Sequence, residues 1–347
     1  MKLRLLGGLT ARIFLRRYWQ KRALFVRAAM PGFAGPGDGL SDSRTLFALA
    51  ARDDVESRIV ERRGSRRETV HGPFRKIFLK RTDSTLLVSG VNLQVPAADA
   101  LLHRFDFVPQ ARLDDVMVSF ATPGGGVGPH VDSYDVFLLQ GPGRRLWYVA
   151  GKRYVAEPGD LLYVPPGWRH DGIALEPCFT YSIGFRAPRG AELGAAFLDF
   201  LHERGLPDAP YRDPGLRPAR RPAVVPGEMV LFAMKVLNRI RWSRADVVRF
   251  LGEYLTMPKA HVVFRPGGAR RRLAGRVVRL DPRTRLLYSG RRFFINGETA
   301  IVAAGHAGAL RELADRRSAS GSSLARAPLA GLICAWQRLG YLHLERP

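Results

Sequence analysis

Between residues 111 and 188 the chain alternates short β-branched and aromatic runs with Pro- and Gly-rich turns: DVMVSFA, DVFLLQ, RLWYVA, DLLYVP and CFTYSIGF. Strands this closely spaced, punctuated in this way, argue for a β-sandwich or small barrel. Side chains alternate across a strand. In CFTYSIGF this puts Cys178, Thr180, Ser182 and Gly184 on one face and Phe179, Tyr181, Ile183 and Phe185 on the other. In DVMVSFA, Ser119 stands opposite the large aliphatic residues. A small polar face backed by a bulky apolar one suits a barrel whose interior holds a polar ligand.

The flanks read differently. Before residue 110, Thr10 caps a helix through ARIFLRRYWQKR. LFVR then reads as a strand, TLFALAA as a helix, TLLVSGV as a buried strand and AADALLHRF as a helix. Beyond FRAPRG, three segments carry apolar residues at helical spacing: AELGAAFLDFLHERG, GEMVLFAMKVLNRIRW and SRADVVRFLGEYL. A Pro-rich linker, PDAPYRDPGLRPARRPAVVP, separates the first two. The C-terminal part combines a hairpin signal, YSGRRFFINGETAIV, with the helices GALRELADRR and LAGLICAWQRLG, joined by a flexible SASGSSL. That mixture fits a small α+β unit resembling a winged helix.

Within the strand-rich region, PGGGVGPHVDSYDVFLLQGPGRR places His130 and Asp132 two residues apart on one strand face. Alone, a His-x-Asp pair is no more than a surface hydrogen bond. The second segment, PGDLLYVPPGWRH, reads Gly159, five residues, Pro165, one residue, Gly167, two residues, His170. Its Pro-Pro-Gly turn aims His170 back toward the barrel mouth. This spacing resembles the second signature of the cupin barrels, and Gly124, five residues and His130 resemble the opening of their first. Asp132 stands where that signature has a second histidine. Two imidazoles and one carboxylate leave half an octahedron open, the arrangement suited to non-haem Fe(II) oxygenases. A zinc hydrolase also uses such a set, but with a general base acting on water, and none stands out. Iron chemistry of this kind usually consumes 2-oxoglutarate, whose distal carboxylate needs a cation inside the barrel. Arg145, thirteen residues beyond Asp132, is placed to grip it bidentately.

GGLTARIFLRRYWQK, PGGGVGPHVDSYDVFLLQGPGRR, PGDLLYVPPGWRHDG and YSIGFRAP resemble, in that order, the JmjC-type ribosomal oxygenases, specifically the bacterial cupin-like arginine hydroxylases of a large-subunit ribosomal protein. DPGLRPARRPA and RRFFINGE extend the likeness over nearly the whole chain. The resemblance implies a mostly β core, the double-stranded β-helix of the cupin/JmjC jelly roll, within residues 1–190. It also implies a helical dimerisation region over 191–255 and a C-terminal α+β winged-helix-like domain over 256–347. It makes His130, Asp132 and His170 ligands of Fe(II), and Arg145 and Ser119 contacts of 2-oxoglutarate. Thr180 and Ser182 join them from the polar strand face. The implied activity is hydroxylation at the β-carbon of an arginine, with 2-oxoglutarate converted to succinate and carbon dioxide. One departure concerns the rim. Only LWYVAGKRYVAE lies between GRR and PGD, where the family carries a longer segment.

The chain of 347 residues carries a net charge of +24, which points to anionic partners or surroundings. Residues 259–292 hold eleven Lys or Arg against Asp281 alone. An alternative reading follows: a cupin-like barrel that has lost turnover and binds ribosomal RNA or a ribosomal protein through this stretch. A basic enzyme repels a basic substrate at long range, so Asp135 and Asp171 are the carboxylates expected to favour an arginine locally. An unrelated small-molecule cupin accounts for neither Arg145 nor the C-terminal extension. Cys178 and Cys334 form no disulfide framework and fit a reducing cytoplasm. No run of 18 apolar residues occurs, so no membrane span is expected, and the basic start reads as a folded helix and not as a targeting segment.

Overall fold

The computed structural model describes residues 2–346 except 36, 38, 39, 65, 78 and 269–271. Two compact units divide the chain. One comprises Met1–Ala187, Pro258–Arg285 and Ala303–Pro347; the other comprises Pro188–Met257 and Leu286–Val302. The units therefore interleave segments that are consecutive in sequence.

The first unit opens with helix α1 (Ala11–Arg17), strand β1 (Leu24–Val26) and helix α2 (Ser43–Ala50). A charged hairpin follows, β2 (Ser57–Arg63) and β3 (Arg66–His71), then β4 (Ser84–Val88) and helix α3 (Pro96–Leu102). The strand-rich region supplies β5 (Leu113–Ala121), β6 (His130–Val131), β7 (Val136–Gln140), β8 (Arg145–Val149), β9 (Lys152–Ala156), β10 (Leu161–Val164), β11 (Arg169–Ala174) and β12 (Cys178–Phe185). They assemble into an antiparallel eight-stranded sheet, β1-β10-β7-β12-β5-β4-β2-β3, and a four-stranded sheet, β6-β11-β8-β9. This is the expected jelly roll.

Alternation along β12, β5 and β7 divides the large sheet into two faces. Phe179, Tyr181, Ile183 and Phe185 of β12 join Val116 and Val118 of β5 and Phe137 and Leu139 of β7 in one core, together with Phe14 of α1 and Phe105. Phe14 lies fully buried against Phe137 and Tyr163. Burying a side chain of this size contributes about 1.5–3 kcal/mol. The opposite face presents Met117, Ser119, Leu138, Thr180 and Ser182 to a cavity.

Thr10 caps α1 as expected, accepting the Ile13 N–H at 3.2 Å. The helix nevertheless stops at Arg17. Gln20 adopts a left-handed backbone, its N–H donates to Tyr163 Oη and its side-chain amide donates to Asp135. Tertiary hydrogen bonds thus override local helix propensity.

The remaining strands are β13 (Val277–Leu280), β14 (Leu286–Ser289), β15 (Arg292–Ile295), β16 (Glu298–Ile301), β17 (Ser318–Ser320) and β18 (Leu342–Glu345). The helices are α4 (Gly190–Glu203), α5 (Gly227–Leu237), α6 (Arg244–Thr256), α7 (Ala304–Arg316), α8 (Gly321–Leu324) and α9 (Leu329–Arg338). In the first unit β17-β13-β18 form a sheet. The SASGSSL stretch is not a flexible link: it forms β17 and α8, with Ala319 and Leu324 buried. In the second unit α4 and α6 pack through Phe197, Phe200 and Phe250. Gly252 of α6 lets the Phe294 ring of β15 approach the helix backbone; a Cβ there would lie 2.3 Å from the ring. No described helix is long and apolar enough to cross a membrane.

Candidate active site

His130 begins β6 after a glycine-rich turn in which Gly128 has φ +87°, and His170 sits on β11 after a turn with Gly167 at φ +79°. The two strands pair with His170 directly opposite His130. Their ring centroids consequently lie 4.2 Å apart. Asp132 completes the group: its Oδ2 lies 3.9 Å from His130 Nε2 and 3.6 Å from His170 Nε2. One ligand atom from each of the three falls within 4.8 Å of the others.

Each imidazole is oriented from behind. His130 Nδ1 pairs with Gly128 O at 2.8 Å and His170 Nδ1 with Trp168 O at 3.0 Å. A carbonyl accepts only from an N–H, so both rings donate from Nδ1, which leaves Nε2 as the ring nitrogen nearest Asp132. Burial of the His170 ring lowers its pKa, outweighing the Trp168 hydrogen bond, and nearby His130 acts in the same sense as burial. A neutral imidazole is what metal ligation requires. The donor set fits a hard-to-borderline divalent metal with open positions.

His130 and Asp132 also line a cavity of about 430 Å³ whose lining residues all belong to the first unit and include Arg145, Ser119, Thr180 and Ser182. Arg145 enters it from β8 and is 4% exposed, yet its Nε and Nη2 have no hydrogen-bond partner among the described residues. Its guanidinium lies 5.7 Å from the Trp147 ring centroid. Thr85 Oγ1, in the same cavity, is likewise buried and unpaired. An uncompensated buried cation is costly, so a pocket presenting two free guanidinium N–H groups and a free hydroxyl is built for an anion. Ser119 pairs with Thr180 across β5 and β12, putting both hydroxyl residues on this floor. Thr180 Oγ1 donates a long 3.4 Å bond to Gln140.

Asp135 does not face this cavity. It is fully buried and accepts from Tyr163 Oη at 2.6 Å, Gln20 Nε2 at 2.9 Å and Arg112 Nη2 at 3.3 Å. Burial, then the bond to Asp135, raises the Tyr163 pKa. The group is a structural knot under α1. Asp171 follows His170 on β11 and lines, with His170, Tyr148, Gly151 and Trp168, a second groove and not this cavity. The carboxylates that line the cavity, besides Asp132, are Glu56, Asp114 and Asp115. No spacing signalled them; strands β2 and β5 deliver them. Tyr134 also lines the wall, its pKa pushed up to about 12 by burial and by Asp132.

Among the described residues, four of the eleven cations in 259–292 are paired within the protein, while Arg265, Arg272 and Arg291 are exposed. Lys259 lines the cavity and pairs with Asp114 at 3.3 Å. Arg279 pairs with Glu345 and Arg283 with Asp281. Arg285 donates to Leu113 O and Asp114 O, and its burial lowers its pKa to about 10. Arg270 and Arg271 lie outside the described residues.

A JmjC domain model matches residues 100–157 and 151–193, and a ROXA-like winged-helix model matches residues 239–343. The two JmjC segments overlap at residues 151–157, which contain β9. The ribosomal protein uL16 3-hydroxylase of Escherichia coli is 36% identical over 277 residues, 73% of either chain. The chain belongs to the ribosomal oxygenase family. Within that family, a probable ribosomal oxygenase of Haemophilus influenzae is 34% identical over 212 residues, covering 53% of this chain and 52% of that protein. The solved structure of YcfD, a ribosomal oxygenase from Escherichia coli, superposes with a TM-score of 0.83 at 33% identity, covering 97% of this chain and 98% of that one. YcfD has also been solved with cobalt and 2-oxoglutarate, at the same TM-score and coverage. The jelly-roll and winged-helix expectations therefore hold for this ribosomal oxygenase family member.

Proposed function

We propose that this chain is an Fe(II)- and 2-oxoglutarate-dependent oxygenase that hydroxylates the β-carbon of an arginine in large-subunit ribosomal protein uL16. The observation that carries the reading is Arg145, a buried guanidinium with two unpaired nitrogens in the cavity that His130 and Asp132 line, with His170 grouped beside them. Such a pair of subsites fits a dicarboxylate: one end for the metal, the other for Arg145. The relatives' names and their cobalt and 2-oxoglutarate complexes support the same cosubstrate and substrate class.

His130, Asp132 and His170 would hold Fe(II), which when bound would let dioxygen oxidise 2-oxoglutarate to succinate and carbon dioxide and hydroxylate the target, one oxygen atom going to succinate and one to the target. The protein's part is positioning. Arg145 grips the distal carboxylate through its fork, with Ser119, Thr180 and Ser182 beside it and Thr85 as a further donor. Trp147 walls this end, keeping water from the ion pair. Asp114 already faces Arg186, Lys259 and Arg285. Among the described residues Asp115 has the Gly90 N–H at 3.0 Å and Lys259 at 3.9 Å, so of the two β5 carboxylates it is the one open to a substrate guanidinium.

We assign residues 1–190 to the catalytic domain, 191–255 to homodimerisation and 256–347 to the winged-helix-like domain, in a cytoplasmic enzyme. The dimer reading is supported by α5, an apolar helix with no buried residue. The RNA-binding alternative is weakened because Lys259, Arg279, Arg283 and Arg285 are held in internal contacts.

The test is succinate formation by iron-loaded protein with 2-oxoglutarate, with and without an arginine-bearing uL16 peptide, beside His130→Ala. Peptide-stimulated turnover abolished in the variant is expected. Turnover that ignores both the peptide and the substitution sinks the reading.

A further inference from the structure

Lys259 reaches the cavity wall from the segment just after α6 and contacts a strand 145 residues earlier in sequence. Its Nζ lies 3.3 Å from Asp114 Oδ1 and 3.9 Å from Asp115 Oδ2. The two carboxylates are not equivalent. Asp114 is also approached by Arg186 at 3.4 Å and Arg285 at 3.6 Å, so it keeps two cations whatever Lys259 does. Asp115 is deeply set, fastened by one backbone N–H, and Lys259 is the one cation within ion-pair distance among the described residues. The Lys259 side chain is 37% exposed, so its ammonium has room to swing.

We infer that Lys259 is a resident competitor at the substrate site: its ammonium occupies the cation subsite at Asp115, and an entering substrate cation must displace it. This deepens the proposed arginine hydroxylation and rests on it. The displacement is partial, since Lys259 retains its nearer partner Asp114 while yielding Asp115. Charge type decides which cations succeed. A guanidinium offers a planar fork of donors that binds a carboxylate bidentately, whereas an ammonium is a strongly hydrated point charge. An arginine therefore outcompetes Lys259 at Asp115. A substrate lysine exchanges one ammonium for an equal one and gains nothing. The resident lysine thus lowers the apparent affinity of every entering cation by the same factor, and the stronger intrinsic grip of a guanidinium is what lets arginine still bind.

The experiment titrates two uL16-derived peptides, one with the target arginine and one with lysine in its place, into Co(II)- and 2-oxoglutarate-loaded protein by calorimetry. Wild type is compared with Lys259→Met, Lys259→Gln and Lys259→Arg, each checked for an unchanged thermal midpoint. Lys259→Met should bind the arginine peptide roughly fivefold tighter, the upper end of what a part-exposed ion pair contributes. It should tighten the lysine peptide by the same factor, so the ratio of the two affinities stays as in wild type. Lys259→Gln covers the case of a poorly folded methionine variant and should shift in the same direction, and Lys259→Arg should bind no tighter than wild type. Equal or weaker arginine binding in both neutral variants overturns the inference, showing that Lys259 builds the subsite and does not contest it. Failure of the arginine peptide to bind any of these proteins removes the arginine reading, and the competition at Asp115 falls with it.

Discussion

Arg145 stores an imbalance that only a ligand relieves. Its buried guanidinium leaves Nε and Nη2 without hydrogen-bond partners, and replacing an uncompensated buried charge by an apolar group of similar size tends to stabilise. Arg145→Met should therefore raise the melting temperature of the ligand-free protein, by about 1–2 kcal/mol in stability. The same change should weaken 2-oxoglutarate binding by about 2–5 kcal/mol, the cost of removing one partner of a buried charge pair. Differential scanning fluorimetry and titration of 2-oxoglutarate into Co(II)-loaded protein read the two effects. Unchanged 2-oxoglutarate affinity would remove Arg145 from the site. At this scale the sequence was informative because strand spacing and metal geometry are both short-range. His130, Asp132 and His170 sit beside turns whose glycines and prolines announce them, and Arg145 follows within one strand. Asp115 and Lys259 were not legible, since 144 residues separate partners that only the fold brings together. Asp135 misled because a carboxylate in an Asp-rich segment looks the same whether it faces a cavity or Tyr163.

Elements carry their own strain and their own pH dependence. The β8–β9 hairpin closes through Ala150 at φ +52° and Gly151 at φ +74°. Two left-handed residues match the two-residue turn that suits twisted strands, and only the second is a glycine. Ala150→Gly should stabilise the protein by about 1 kcal/mol by removing the left-handed penalty. A chemical denaturation midpoint that falls would show the turn is not strained there. At the C-terminal end of α3, burial pushes the His103 imidazole down, yet hydrogen bonds to Asp106 and Asp99 outweigh it and raise its pKa. A group raised in the folded state stabilises fully below its unfolded value, about 6.5, and loses that contribution as pH rises through the folded value. His103→Gln should thus cost stability at pH 6 and progressively less toward pH 8, measured by urea unfolding at each pH. A pH-independent difference would mean the ring acts by packing alone. Strong alternation made β12 and β5 legible as elements. The β2–β3 hairpin was hidden because every residue of β3 is exposed, leaving no apolar period to read. The end of α1 was hidden because Gln20 answers to Tyr163, far along the chain.

At the scale of the whole molecule, α5 is the unresolved surface. An isolated helix of eleven residues is marginal in water, and most helices are held by an apolar face packed on something else. Yet α5 buries none of its side chains, and Met229, Val230, Leu231, Met234 and Leu237 are all exposed. Apolar side chains grouped on one helix mark an interaction site, and a second copy of the chain is the partner proposed here. A self-complementary contact about a two-fold axis would bring α5 against its own symmetry mate or a neighbouring helix of the partner. It follows that Leu231→Glu combined with Met234→Glu should convert a dimer to a monomer in analytical ultracentrifugation. The proposed metal and 2-oxoglutarate residues all belong to the other compact unit, so calorimetric binding of Co(II) and 2-oxoglutarate should survive. A variant that stays dimeric would assign the interface elsewhere. A wild type that is monomeric at every concentration would leave α5 for a different partner.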